Sequence, residues 1–439
     1  MSSAPFKLDA NASSESLNSA YEQLHAQHQR FIADGLSLDL TRGKPSSKQL
    51  DLSNALLANS PEDFLDAVID LRNYGVLDGL PKAKQLFGTL LGVDAETAEQ
   101  RVFVGGNSSL SLMHYTLWFA HHLGLHAEQQ AWRKAGDESG ENIKMLCPCP
   151  GYDRHFSVCE QLGVEMIPVP LTGAGPDMDI VETLVKADPN IKGIWCVPRF
   201  SNPTGEVYSA ATVARLAELP KYASKNFYVL WDNAYALHAF TDQAPSLASI
   251  EHAAEAAGTL DQIIQFGSTS KMTFAGAGIS YMASSEQTIA AFCKHFAMAS
   301  IGSDKLNQQR HINFLSDLAS TKNHMALHAE IMAPKFEAVA KALHDHFDGS
   351  DVGVWSNPQG GYFVSFDTRP GLAKKVVALA AEAGVKLTPA GATFPNGYDP
   401  EDKNIRLAPS FPEIGEVNKA MQVFVNCVKL ASVEQAMKK

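Results

Sequence analysis

The segment QIIQFGSTSK at residues 262–271 contributes most to the choice of fold. It begins as a short apolar run, typical of a strand buried on both faces, and it ends in a polar cluster that closes on Lys271. Two earlier segments have the same form: GIWCVP at 193–198 continues into RFSNPTG, and FYVLWD at 227–232 continues into NAY. Parallel strands end at one edge of a sheet, where open α/β sheets bind ligands. We therefore expect the three polar clusters to meet in one site.

Other apolar runs continue this pattern over residues 100–285, and helical stretches separate them. They read IKMLC at 143–147, VEMIPV at 164–169 and ISYMA at 279–283. The alternation predicts an α/β fold in which helices flank a mainly parallel sheet. Towards the N-terminus, the sequence predicts helices over 21–33 and 80–91 and a loose polar arm over residues 1–20.

The end of the chain predicts a second, smaller unit of α+β type. A helix over 328–347 should be kinked or shortened by Pro334, and GGYFVSFD, a helix near 371–383, GVKLTPAG and IRLAPSF follow. We predict an N-terminal arm (1–50) that joins the small domain, a large cofactor-binding domain (51–328) and a small C-terminal domain (329–439).

Composition excludes several classes of function. The formal net charge of −12 argues against a nucleic-acid-binding surface. The six cysteines are spread over 439 residues, which favours free thiols in a reducing compartment. The N-terminal residues contain no apolar core of a signal peptide, and no apolar run is long enough to span a membrane. These absences predict a soluble cytoplasmic protein.

The order of four motifs resembles a known family. NPTG at 202–205, DNAY at 232–235, STSK at 268–271 and IRLAP at 405–409 resemble the class I and II aminotransferases, which are pyridoxal 5′-phosphate (PLP) enzymes of fold type I. VGGNSSL, CPCPGYDRH and STSKMTFAGAG look closest to a bacterial branch of aspartate aminotransferase-like proteins. The resemblance implies a homodimer with shared active sites. It also implies transfer of an amino group from L-aspartate or L-glutamate to 2-oxoglutarate or oxaloacetate.

The same resemblance implies catalytic roles for three residues. Lys271 would form the Schiff base with PLP and, once freed, carry a proton at the substrate Cα. Asp232 would face the pyridine nitrogen and keep it protonated, with His155 supporting it. Tyr235 and Asn202 would hydrogen-bond the 3′ oxygen of the cofactor, and Tyr152 would stack on the ring.

Further residues are implied for the phosphate and the substrate. The phosphate would lie at a helix N-terminus, and the implied phosphate ligands are Asn107, Ser108, Ser109, Ser268, Ser270 and, from the other subunit, Tyr74. Arg406 would clamp the substrate α-carboxylate, for which a planar guanidinium is well suited. Asn202 and Gly43 would lie beside the same carboxylate.

The sequence departs from the family at one position. The family carries a phosphate-binding arginine seven or eight residues after the lysine, whereas MTFAGAGIS here contains no basic residue. We expect another cation to compensate, and our hypothesis is that Lys305 reaches the phosphate, across the dimer interface if need be. A dicarboxylate substrate needs a second cation as well, for which Arg42, Lys44 and Arg310 are open alternatives.

Three other interpretations receive less support. His324 and His328 have the i, i+4 spacing of zinc ligands but lack the acidic residue of that motif, and Cys147-Pro148-Cys149 is too tight for a zinc knuckle. We therefore predict no metal. A PLP-dependent β-lyase would use the same cofactor residues and stays open as the alternative reaction. A regulator would need a DNA-binding domain, and only about 35 residues precede the family match.

Overall fold

The protein, a computed structural model, is described for residues 6–8, 13–64, 69–126 and 131–438. The helices are α1 (Ser14–Ala33), α2 (Ser47–Asp51), α3 (Pro81–Leu90), α4 (Ala98–Arg101), α5 (Ser109–His122), α6 (Trp132–Ser139), α7 (Asp153–Leu162), α8 (Met178–Ala187), α9 (Ala210–Glu218), α10 (Ile250–Ala257), α11 (Glu286–Phe296), α12 (Lys305–Leu315), α13 (Leu318–Phe347), α14 (Ala373–Glu382) and α15 (Ile414–Ala436). Short 3-10 helices occupy Asn54–Leu57, Pro61–Phe64, Leu219–Lys221, Leu260–Gln262 and Pro395–Gly397.

The strands are β1 (Leu38–Asp39), β2 (Val102–Val104), β3 (Lys144–Cys149), β4 (Glu165–Pro170), β5 (Ile191–Cys196), β6 (Tyr228–Asp232), β7 (Ile263–Ser268), β8 (Ser280–Ala283), β9 (Gly353–Trp355), β10 (Val364–Thr368), β11 (Val385–Lys386) and β12 (Asn404–Leu407). Seven of them form the central sheet in the order β2-β8-β7-β6-β5-β3-β4. Strands β4, β3, β5, β6 and β7 are parallel, and β8 is antiparallel to both neighbours. The expected α/β fold with a mainly parallel sheet is confirmed.

Alternate residues of each central strand pack on opposite faces of the sheet, as the two-residue period of a strand requires. In β6, Tyr228 and Leu230 join the apolar cluster under α5, α7 and α11, whereas Val229 and Trp231 join the cluster under α8, α9 and α10. Burial on both faces explains why the predicted strands are continuous apolar runs. The parallel pairing of β3, β5, β6 and β7 places the polar clusters that follow them at one edge of the sheet.

A third apolar cluster contains residues from both ends of the chain. Phe31 and Leu40 pack with Phe366 and Phe424, and α1 lies against α15. Strand β1 pairs with β11 in parallel, Leu38 opposite Val385, and β12, β10 and β9 form an antiparallel sheet. The N-terminal segment thus packs with the C-terminal unit, although the boundaries at 50 and 328 stay a prediction.

The bounds of two helices differ from those predicted. Helix α1 begins at Ser14 and not at residue 21, because the Ser13 hydroxyl caps it by accepting from the Ser16 amide; the rest of the predicted arm includes residues 1–5 and 9–12, outside the described part. Helix α13 begins at Leu318, ten residues before the predicted start, and Pro334 does not shorten it; the other expected effect of Pro334, a kink, stays a prediction. Buried neighbours such as Met332 and Phe336 hold both halves in the C-terminal core, which offsets the lost hydrogen bond.

Candidate active site

A cavity of about 570 Å³ opens at the carboxyl edge of the central sheet. Its walls bring together residues that are far apart in sequence: Gly43, Tyr152, Asn202, Tyr235, Lys271 and Arg406, with Thr41, Arg42, Lys44, Asp153, Arg154, Phe363, Thr388, Pro389 and Ala392. The strands β3, β5, β6 and β7 end beside it. The structure therefore brings the three polar clusters together in one cavity, as expected.

Lys271 follows β7 and projects its amine towards two tyrosine rings. Its Nζ lies 5.1 Å from the centre of the Tyr235 ring and 5.9 Å from that of Tyr362. Burial lowers the pKa of the Lys271 amine, and the Asp232 carboxylate opposes that shift. An amine with a lowered pKa is neutral more often near pH 7, which is the state a nucleophile or base requires.

Asp232 ends β6 and is almost completely buried. His155 Nε2 donates to its Oδ2 at 3.0 Å, and the His155 ring stacks on Trp195 with the ring centres 4.1 Å apart. The other carboxylate oxygen, Oδ1, has no hydrogen-bond partner among the described residues. A buried oxygen of this kind is costly unless it meets a donor, so Asp232 is prepared for a protonated ring nitrogen such as that of PLP.

Tyr235 and Tyr152 form the aromatic part of the site. Tyr235 is 4% exposed, and burial, followed by the nearby Tyr152 and Asp232, raises the pKa of its hydroxyl. The hydroxyl is therefore a hydrogen-bond donor throughout the physiological range. The Tyr152 ring meets the His155 ring edge-on at 5.0 Å, which places it over the same end of the cavity as Asp232.

Arg406 lies on β12 and is 6% exposed. Its Nη1 donates to Asp153 Oδ1 at 3.0 Å and to Asn202 Oδ1 at 3.3 Å, and its Nε donates to Thr388 Oγ1 at 3.4 Å. The guanidinium carbon also lies 4.9 Å from the centre of the Phe363 ring. Asn202 and Arg406, predicted to share a substrate carboxylate, are thus direct neighbours.

Gly43 borders the cavity at a point where only glycine fits. A Cβ there would lie 2.5 Å from the Phe363 ring. Because Phe363 also packs against Arg406, any side chain at residue 43 would displace the wall that supports the guanidinium.

The predicted phosphate cradle lies between β2 and α5. Ser108 precedes the first residue of α5 without forming a side-chain cap, and Ser270 Oγ donates to the Asn107 carbonyl at 2.8 Å. The N-terminus of α5 therefore keeps free backbone donors and a partial positive charge for an anion. Ser109 is the first residue of this helix, and Ser268 ends β7.

The stretch without the expected arginine is close to that cradle. A Cβ on Gly278 would lie 3.0 Å from the backbone nitrogen and the hydroxyl of Ser270, and Asn307 Nδ2 donates to the carbonyls of Ala277 and Gly278 at 3.0 and 3.2 Å. The backbone at Gly278 therefore lies so close to Ser270 that there is no room for the start of a long side chain at residue 278.

Lys305, the residue that we expected to reach the phosphate, lies beside the loop that carries Tyr74. Its side chain is buried, 6% exposed, and its Nζ donates to the Gly75 carbonyl at 3.1 Å. This bond uses one of the three donors of the ammonium group, so the role of Lys305 at the phosphate stays a prediction. The bond also anchors the loop that carries Tyr74, whose side chain is 83% exposed in the chain.

The structure distinguishes the three residues that were considered as ligands of a second substrate carboxylate. Arg42 and Lys44 line the cavity. Arg310 does not appear in its walls, and its guanidinium lies 5.6 Å from the centre of the Phe64 ring.

Sequence reasoning overlooked two charged neighbours of the cavity, Asp153 and Arg154. Both stand in the quoted PGYDRH motif, in the first turn of α7. An acid in the first turn is common at helix starts, so the residue types gave no reason to single them out. The role of Asp153 depends on Arg406, which is 253 positions away in the sequence.

The histidine pair is hydrogen-bonded within the fold, and the cysteines are free thiols. His324 and His328 are hydrogen-bonded through their Nε2 atoms at 3.2 Å, and Gln49 Nε2 lies 3.3 Å from His328 Nδ1. Groups of side chains able to hold a metal ion do not occur within the described ranges. All six cysteines are free, and Cys147 and Cys149 are buried. Over the same ranges, every helix is too short or too polar to cross a bilayer.

A buried carboxylate, a lysine with a lowered pKa and a helix N-terminus at one edge of a mainly parallel sheet have the arrangement of PLP enzymes of fold type I. The chain matches the family described as aspartate amino-transferase over residues 12–439. It is similar to the aspartate aminotransferase of Corynebacterium glutamicum, with 42% identity over 416 residues that cover 94% of each chain. A protein of Mycolicibacterium smegmatis, provisionally named an aminotransferase, is 45% identical over 94% of this chain and 97% of its own.

A solved structure agrees with these sequence relatives. The crystal structure of an aspartate transaminase from C. glutamicum superposes with a TM-score of 0.91 at 41% identity, covering 97% of this chain and 99% of that chain. The chain therefore belongs to the aspartate aminotransferase family. It is an aminotransferase of the aspartate aminotransferase-like branch, and PLP, the cofactor that this family uses, is confirmed as expected.

Proposed function

We propose that the enzyme transfers the amino group of L-aspartate or L-glutamate to 2-oxoglutarate or oxaloacetate. The observation that carries this proposal is the charge of the cavity. Arg42, Lys44, Arg154 and Arg406 line it together with Lys271, and Asp153 is the one acidic residue among its lining residues. A substrate with two carboxylates matches such a cavity, because cations in a partly closed site favour anions strongly. The C. glutamicum relative is named for aspartate.

The chain's own residues divide the work of holding PLP. The buried Asp232 Oδ1 would accept a hydrogen bond from the pyridine nitrogen, Tyr235 and Asn202 would donate to the ring oxygen, and Tyr152 would cover the ring. The phosphate would sit at the N-terminus of α5, with Asn107, Ser108, Ser109, Ser268 and Ser270. When bound, the cofactor supplies an electron sink for the pair released at the substrate Cα.

Lys271 then moves the proton. Its neutral Nζ would take the proton from the substrate Cα and return it to the cofactor carbon, and a lowered pKa suits both steps. Arg406 would orient the α-carboxylate so that the Cα hydrogen faces Lys271. Gly43 and Asn202 would complete that side of the substrate, whose second carboxylate would meet Arg42, Lys44 or Arg154.

We further propose a homodimer with shared active sites. Tyr74, Met298 and Ile301 have exposed side chains, at 83%, 86% and 61%. The backbone brings their two loops together, since a Cβ on Gly302 would lie 2.9 Å from the Gly75 carbonyl. A second copy of the chain would cover these side chains, and Tyr74 would then reach the partner's phosphate. The six free cysteines support a reducing, cytoplasmic location.

The test is a panel of amino donors with 2-oxoglutarate as acceptor, compared by kcat/KM. We expect aspartate and glutamate to exceed aromatic and aliphatic donors, and the reverse order would refute the dicarboxylate proposal. A parallel reaction without acceptor separates transamination from elimination, because a β-lyase forms an oxo acid without any acceptor.

A further inference from the structure

The strongest unassigned feature of the cavity is the ion pair between Asp153 and Arg406. Asp153 Oδ1 lies 3.0 Å from Arg406 Nη1, on a guanidinium that is 6% exposed. We infer that Asp153 is a built-in competitor for the substrate α-carboxylate, which neutralises Arg406 in the empty site and weakens substrate binding. This inference rests on the proposed role of Arg406.

The hydrogen bonds of Arg406 show why the two carboxylates compete. A bidentate clamp uses Nη2 together with either Nη1 or Nε. Nη1 already serves Asp153 and Asn202, and Nε serves Thr388. A substrate that takes the Nη1 side must displace Asp153. A substrate that takes the Nε side must bind beside the Asp153 carboxylate, and like charges so close on one guanidinium repel each other.

The empty site has a physical reason to contain such a carboxylate. A guanidinium that is almost fully buried is costly without a counter-charge. Asp153 supplies this charge whenever substrate is absent, and Asn202 and Thr388, which are neutral, cannot. The cost of the arrangement is affinity, because every substrate carboxylate must replace an existing interaction.

The position of Asp153 lowers the free-energy cost of breaking its ion pair with Arg406. It is the first residue of α7, where free backbone donors and the helix dipole favour a carboxylate. Its side chain is 34% exposed, so that the displaced carboxylate can turn to water without leaving the helix start. The residue can therefore pair with Arg406 or release it while α7 stays in place.

The test measures binding of succinate, a dicarboxylate that carries no amino or oxo group, to the PLP-loaded enzyme by isothermal titration calorimetry. We expect Asp153→Asn to lower the Kd for succinate about tenfold. We expect KM for aspartate and for 2-oxoglutarate to fall in the same direction. Asp153→Ser repeats the measurement with a smaller side chain, and far-ultraviolet circular dichroism checks the fold of both variants.

Asp179→Asn is the matched control. Asp179 also lies in the first turn of a helix and also pairs with an arginine, Arg215, at 2.7 Å, but on the surface. It should leave the Kd for succinate unchanged. Unchanged or weaker succinate binding in both Asp153 variants would overturn the inference. Arg406→Gln separates this from failure of the proposed site: if it binds succinate as the parent does, Arg406 is not the carboxylate clamp and both ideas fall.

Discussion

His311 provides a pH-dependent test of how the lysine loop is held. Its Nδ1 donates to the Asn307 carbonyl at 2.8 Å, and its Nε2 accepts from the hydroxyls of Thr273 and Thr269 at 2.9 and 3.1 Å. The ring is completely buried, and Thr269 is two residues before Lys271. Neutral His311 therefore supports the loop from behind, and a proton on it would be costly.

The size of the expected change in stability follows from the pKa of His311. Burial, only partly opposed by the Asn307 carbonyl, lowers the pKa of His311 from 6.5 to about 4. Because the folded pKa lies below the unfolded one, the contribution to stability is complete above pH 6.5 and is lost as the pH falls towards 4. Each pH unit in that window corresponds to about 1.4 kcal/mol, so the total is about 3 kcal/mol, of which about 2 kcal/mol is lost by pH 5.

The perturbation is His311→Asn, which keeps a donor for the Asn307 carbonyl but cannot titrate. At pH 7 we expect a loss of about 1 kcal/mol, since the two threonine hydroxyls lose their acceptor. Between pH 6.5 and pH 5 the variant should lose about 2 kcal/mol less stability than the parent. The free energy of unfolding comes from urea titrations at fixed protein and PLP concentrations.

The control is His252→Asn, at an exposed histidine. It should follow the parent at every pH. If His311→Asn loses as much stability as the parent between pH 6.5 and pH 5, then His311 is not the group that burial keeps neutral, and the reasoning fails.

Three further predictions concern the active site. Lys271→Ala should lose nearly all turnover, and borohydride reduction of the parent enzyme should label Lys271 in a peptide map; label on another lysine would contradict its assignment. Asp232→Ala should still bind PLP, seen by absorbance, but lower kcat about a hundredfold or more, because a buried counter-charge is lost; near-normal turnover would give the ring nitrogen another partner. Mixing Lys271→Ala with Tyr74→Ala subunits should restore roughly a quarter of the parent activity, because hybrid dimers contain one intact site; no recovery would count against shared sites.

Features that depend on a local sequence pattern, such as the strands and the residues that follow them, are predicted well. Each apolar run of β5, β6 and β7 appears as a strand within two residues of its expected ends, and Asp232 and Lys271 follow from those ends. A parallel sheet then makes their meeting at one edge a geometric necessity. These features depend on burial of the strands on both faces of the sheet, which their continuous apolar runs indicate.

The features that the sequence does not predict depend on partners distant along the chain. Lys305 next to Asp304 looks like a solvated lysine, and only the fold brings it to the Gly75 carbonyl, 230 residues away. Asp153 looks like an ordinary first-turn acid until β12 places Arg406 beside it. Pro334 interrupts a helix locally, but packing against the C-terminal core outweighs that preference.

The charge of the cavity links these findings. The chain as a whole has a formal net charge of −12, yet the cavity is lined by four cationic residues besides Lys271 and by one acidic residue. Such a concentration of cations raises the free energy of the empty site, and the Asp153 pair offsets part of it at the most buried of these cations, Arg406. A ligand with one carboxylate would replace Asp153 and leave the other basic residues of the cavity without a counter-charge, whereas a ligand with two carboxylates would also meet Arg42, Lys44 or Arg154. Because both ligands would displace Asp153 at the same cost, the ion pair would lower the affinity for either, and a preference for dicarboxylates would come from the second carboxylate alone.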